Sequence, residues 1–288
     1  MTVHYRRFDQ ELSFLKSIPS LEVLIDPHFV ELPMLAALFT ELIRQSDFES
    51  YRWLIVTCHH DFNQVQTTLN QDCVLVYLSN EDGLLPACTS QVKAVFTPYC
   101  RQWPLPAKVS IIPLGCNGDL PEPTWIPFEE RQLDVFFSGQ AIPQRGPFIL
   151  AAMELLAAMQ TRSHFQGQIT LSSQFRGGLS PELYSQSLMN SKIALLPVGF
   201  SPITFRFFEA MRSGCLLVTH RLPPFWYLDG LPLLHMPLDW HDLSDKIMAL
   251  LMDSEYQLEL HQRTRWHYQN KLSPQAVAQY MFNQLAVS

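Results

Sequence analysis

Short apolar runs recur along this chain, with helix-like stretches or polar connectors between them, and this rhythm constrains the fold more than any other feature. In the first half the runs are residues 21–25, 53–57, 73–78, 93–97 and 109–113, with the clearest intervening helix over 32–43 and a thinner one over 61–71. Runs this short and this apolar suit strands buried on both faces. The second half reads more sharply. Strands are expected at 133–138, 168–172, 193–196, 215–219 and 231–235, and helices at 147–159, 181–190, 203–212, 241–252 and 256–268. Ser180 followed by Pro181, and Ser273 followed by Pro274, are helix starts. Serine satisfies free amides there, and proline tolerates the first turn. Alternation of this kind predicts an α/β fold of mostly parallel sheets with helices on both faces.

The stretch 117–131, with Pro121, Pro123 and Pro127 among acidic residues, reads as a linker. It separates a first domain, 1–125, from a second, 131–270, and the terminal helix over 271–288 is expected to pack back on the first. Hydrophobic residues make up 47% of the chain and charged ones 16%, which is ample for a substantial core. The 20 Lys and Arg against 27 Asp and Glu leave a net charge of −7 with no basic block, so nucleic acid is not the expected partner. Neither a transmembrane run nor a secretory leader is read, which leaves room for peripheral membrane contact. None of the six cysteines forms a C-x-x-C pair. Buried thiols in a reducing, cytoplasmic compartment are expected, rather than disulfides or a metal site.

Ligands of open parallel sheets bind beyond the carboxyl ends of the strands. Two loops qualify. One follows the strand at 133–138, where Gly139 lets the backbone approach a ligand and Arg145 stands just before a helix. The other follows the strand at 193–196 and carries Gly199 and Ser201, then Thr204, Arg206 and Glu209 on the next helix. The first-turn amides, placed at about 202–204, suit an anion. Arg206 and Glu209 lie three apart on one face, so they either serve a ligand, with Arg206 on phosphate and Glu209 on vicinal hydroxyls, or pair with each other. No G-x-G-x-x-G and no P-loop is present.

The run from Ser191 through Leu196-Pro197-Val198-Gly199, then Arg206-Phe207-Phe208-Glu209-Ala210, Gly214-Cys215 and the strand to Thr219 resembles the signature block of exostosin-like glycosyltransferases. The wider resemblance is to the donor-binding domain of GT-B type enzymes. It implies two Rossmann-like domains, the first of them short, and a nucleotide-diphosphate sugar as donor substrate with no further cofactor. Glu209 is implied as the ribose ligand. Gly139, Arg145, Gly199, Ser201, Thr204 and Arg206 would lie around the diphosphate. The implied reaction is an inverting, metal-independent transfer to a glycan, lipid-linked or small-molecule hydroxyl. The general base is expected in the first domain, where His59, His60 and Asp61 follow the strand at 53–57. Helix capping is the structural alternative for these three, and Glu81 with Asp82 is the second candidate pair. A catalytically inactive sugar-nucleotide-binding or assembly subunit is the competing expectation.

Overall fold

The computed structural model describes residues 6–58, 69–122, 124–162, 164–174 and 177–287. These divide into two compact units, 1–119 with 271–288 and 120–270. In chain order the elements are α1 (Asp9–Lys16), β1 (Leu21–Leu24), α2 (Leu32–Leu42), β2 (Arg52–Thr57), β3 (Cys73–Leu78), β4 (Ala94–Thr97) and β5 (Val109–Ile111). There follow β6 (Leu133–Gln140), α3 (Gly146–Gln160), β7 (Gly167–Ser172), α4 (Pro181–Met189), β8 (Ser191–Leu196) and α5 (Phe205–Arg212). The chain closes with β9 (Leu216–His220), β10 (Leu233–Met236), α6 (Leu243–Leu251), α7 (Ser254–Lys271) and α8 (Pro274–Val287). The helix expected over 61–71 falls largely outside the described residues.

The first unit is a parallel sheet in the order β1-β2-β3-β4-β5. Every residue of β3 is buried, as a strand covered on both faces requires. Leu54, Leu75, Val95 and Val109 stand in register across one face and pack with Cys88 and Val92. On the other face Trp53 stacks on Phe48 with ring centres 5.3 Å apart, and meets Phe39 of α2 edge-on at 5.7 Å. Phe282 of α8 lies 6.2 Å from the same ring. The terminal helix thus belongs to the core of this unit, with α2 as its neighbour.

The second unit is also wholly parallel, in the order β10-β9-β8-β6-β7. Here β6 pairs with both β7 and β8, so the order of strands reverses at β6. Phe148 of α3 fills the core between Phe137, at 4.7 Å, and Trp240, at 4.9 Å. The Ser180-Pro181 start forms as expected, with the Leu183 amide donating to Ser180 Oγ. Three of the six thiols, Cys73, Cys88 and Cys215, are buried.

The proline-rich stretch is no loose tether, because residues from Leu120 onward are docked on the second unit. Arg131 is only 3% exposed and donates to the carbonyls of Ser191 at 2.7 Å and Ser213 at 2.6 Å. Burial lowers its pKa, and main-chain carbonyls together with the faces of Trp125 and Phe128 supply the compensation. Ser185 Oγ donates to the Pro121 carbonyl, and Arg212 pairs with Glu122. Prolines stiffen this segment, but its aromatic and charged side chains fasten it.

Candidate functional site

The reversal at β6 splays the loops that follow β6 and β8, and the site residues gather there. Arg145 is 3% exposed. Its Nε donates to the Val198 carbonyl at 2.8 Å and its Nη1 to the Gln140 carbonyl at 2.8 Å. Burial, with the nearby Arg206 charge as a second cause, lowers its pKa to about 10, so it remains a cation at neutral pH. Arg206 donates through Nε to the Ser138 carbonyl at 2.6 Å. Among the described residues the hydrogen-bond partners of both guanidiniums are main-chain carbonyls, Arg145 also lies over the Phe137 ring at 5.7 Å, and neither forms an ion pair with a carboxylate.

Two glycines allow close approaches here, Gly139 to Arg206 and Gly199 to Thr204. A Cβ at Gly139 would stand 3.1 Å from the Arg206 guanidinium carbon and 2.9 Å from Phe137. A Cβ at Gly199 would collide with Thr204 Cγ2 at 2.6 Å and sit 3.5 Å from Arg145 Nη2. Both expected glycines therefore stand where only hydrogen fits. The helix after β8 starts two residues later than its sequence suggests. Thr204 is its extended N-cap, with φ −126° and ψ 170°, and its side chain makes no capping bond. The first-turn amides are accordingly those of Phe205 and Arg206, not those of 202–204. Pro202 and the extended Thr204 delay the helical turn.

The alternative of an Arg206–Glu209 helix pair gives way to a division of partners. While Arg206 reaches back to β6, Glu209, 3% exposed, accepts the Tyr184 hydroxyl at 2.7 Å. Burial, then the Glu209 charge, pushes the Tyr184 hydroxyl well above its ordinary range, so it stays a donor. Nothing in the sequence spacing announced Tyr184, 25 residues upstream of Glu209, as this partner.

An open pocket of about 560 Å³ adjoins the arginine pair. Gly199 and Ser201 line it, together with Phe200, Pro202, His220 and Arg221. Arg145, Arg206, Thr204, Glu209 and Gly139 stand outside its wall.

The proposed bases His59, His60 and Asp61 lie outside the described residues. Glu81 and Asp82 sit in an exposed turn after β3, where Asp82 Oδ1 accepts the Leu84 amide at 3.0 Å. Among the described residues no group of three or more His, Cys, Asp or Glu side chains is placed to hold a metal ion. No helix among them is long and apolar enough to cross a membrane.

No protein-family model matches the chain, and no curated protein does. Solved structures do. A GtfA/B complex aligns over 90% of this chain and 60% of its own, at 14% identity with a TM-score of 0.54. TarM aligns over 87% of this chain and 57% of its own, at 11% identity and 0.53. Sucrose-phosphate synthase from Thermosynechococcus elongatus aligns over 92% of this chain and 81% of its own, at 16% identity and 0.54. The chain thus spans about three-fifths of the length of the first two. At these identities the likeness establishes the fold: two parallel sheets flanked by helices, as in the tandem Rossmann-like domains of GT-B type.

Proposed function

We propose that this protein is a glycosyltransferase that moves a sugar from a nucleotide-diphosphate sugar to a hydroxyl acceptor on a glycan, a lipid-linked glycan or a small molecule. One observation carries the reading. Arg145 and Arg206 present two cations, hydrogen-bonded among the described residues to main-chain carbonyls rather than to carboxylates, beside the first-turn amides of α5. A diphosphate brings two adjacent negative groups and many acceptor oxygens, which is the chemistry such a pair selects. The same groups would stabilise the charge that grows on the diphosphate as the glycosidic bond breaks, without requiring a metal. Glu209 is the ribose ligand in this reading, and the Gly139 and Gly199 backbones form the walls of the diphosphate cradle. The match of the Ser191–Thr219 run to the exostosin-like pattern supports an inverting transfer, in which a base of the first unit takes the acceptor proton. His59, His60 and Asp61 are the proposed base group.

Calorimetric titration with a panel of nucleoside diphosphates and their sugars tests the reading. The wild-type protein should bind one nucleotide selectively. Arg206→Met should weaken that binding by ten- to a hundredfold, about 1.4 to 2.8 kcal/mol. Absence of binding to the whole panel by folded protein would refute the donor site.

A further inference from the structure

The pocket beside the arginine pair has a different chemical character from the pair itself. Phe200, in the loop after β8, leaves 67% of its surface exposed and lines the pocket wall. His220, at the end of β9 and 4% exposed, lines the same pocket. Burial, then the charge of His235, lowers the imidazole pKa to about 4, so the ring is neutral at physiological pH.

The surroundings of His220 fix its tautomer. Thr219 Oγ1 donates its single proton to the Leu196 carbonyl at 3.0 Å. That hydroxyl can therefore only accept from the imidazole Nδ1, 3.4 Å away. The proton then resides on Nδ1, and Nε2 carries a lone pair. Among the described residues Nε2 has no hydrogen-bond partner, and it is open to the pocket, so a donor from solvent or from a bound ligand can reach its lone pair.

A phosphate at neutral pH offers acceptors and little else, so it suits the arginines and not this nitrogen. A sugar ring offers hydroxyl donors around its edge and an apolar face of C–H groups, which match a lone pair and an aromatic ring. We infer that this pocket is the seat of the sugar unit of the donor, with Phe200 against the apolar face of the ring and His220 Nε2 accepting a hydrogen bond from one of its hydroxyls. Gly199 and Ser201 place this seat directly beside the diphosphate cradle, so one ligand spans both. The assignment rests on the nucleotide-sugar reading of the arginine pair and adds to it the groups that read the sugar.

The test compares two ligands on three proteins. Wild type, His220→Ala and Phe200→Ala are titrated with the nucleoside diphosphate that binds and with its sugar conjugates, glucose, N-acetylglucosamine and mannose derivatives among them. Each variant should lose at least fivefold in affinity for the bound nucleotide sugar while affinity for the nucleoside diphosphate stays within twofold. Phe200 is exposed, so its variant keeps the test valid where the buried His220→Ala fails to fold. Removing hydroxyls from the sugar one at a time should identify a single position whose loss weakens wild type but not His220→Ala. Equal weakening toward both ligands, or no change toward either, overturns the sugar seat while leaving the diphosphate site in place. A wild type that binds no nucleotide overturns both.

Discussion

Each unit of this protein contains a five-stranded parallel sheet, yet the two are wired differently. The first adds strands in one direction, from β1 to β5. The second begins in its middle, at β6, adds β7 on one side and then returns to add β8, β9 and β10 on the other. Successive right-handed connections that advance in one direction stay on one face of a sheet, whereas a reversal sends them to opposite faces and leaves a crevice between the loops. Arg145 follows β6 and Arg206 follows β8, so the cations converge at that crevice. The first sheet, as far as it is described, has no equivalent reversal. Its most prominent feature is apolar, the ring cluster around Trp53. Connectivity, more than composition, decides which half can bring two cations together from its own loops.

The largest expected difference between the units appears in acid. His220 and His261, both in the second unit and at most 5% exposed, have pKa values lowered to about 4, chiefly by burial, from an unfolded value of 6.5. The unfolded chain therefore binds their protons first. The stability they contribute is complete above pH 6.5 and is lost as pH falls from there toward 4, by about 3 kcal/mol for each histidine. The one described histidine of the first unit, His28, is only half-buried. Hydrogen exchange followed peptide by peptide at pH 7 and pH 4.5 should show protection falling in residues 120–270 well before it falls in 6–58. Parallel loss in both units would break the contrast.

Substitutions should then separate the two kinds of core. Trp53→Ala removes the ring on which Phe48, Phe39 and Phe282 meet and should cost the first unit about 3–5 kcal/mol. Below the variant's melting transition, nucleotide binding should survive. Arg131→Ala should cost the second unit about 3 kcal/mol, mostly through the Ser191 and Ser213 carbonyls left without their charged donor. Chemical denaturation with the same peptide-resolved readout measures both. A neutral Arg131→Ala would mean that water replaces the guanidinium and that the docked segment is held by its aromatic rings instead.

The contrast was only partly legible in the sequence. Strand and helix positions came from local periodicity, and the glycines and arginines of the site stood in loops that such periodicity marks. The reversal at β6 did not, because strand order depends on pairing between runs far apart in the chain. Arg131 was read within a linker for the same reason: prolines and acidic residues advertise a tether, while the two carbonyls that capture its guanidinium lie 60 and 82 residues away. The Arg206–Glu209 spacing suggested a helix pair, and the two side chains instead found partners on β6 and α4.

That last substitution of partners leads to the smallest effect and the finest discrimination. Tyr184→Phe keeps the ring, which packs at 5.7 Å from Phe136, and deletes only the hydroxyl that donates to Glu209 Oε2. A hydrogen bond to a charged acceptor contributes about 1.5–3 kcal/mol, so the variant should melt slightly earlier in the second unit alone. If Glu209 grips ribose, its carboxylate also loses an anchor that fixes its orientation. Affinity for a ribonucleoside diphosphate should then fall about three- to tenfold, or about 0.7–1.4 kcal/mol. Affinity for the analogue lacking both ribose hydroxyls should not change. A purely structural Tyr184 would lower stability and leave the ratio of the two affinities where it was, so the ratio, and not the melting temperature, decides whether Glu209 faces the ligand.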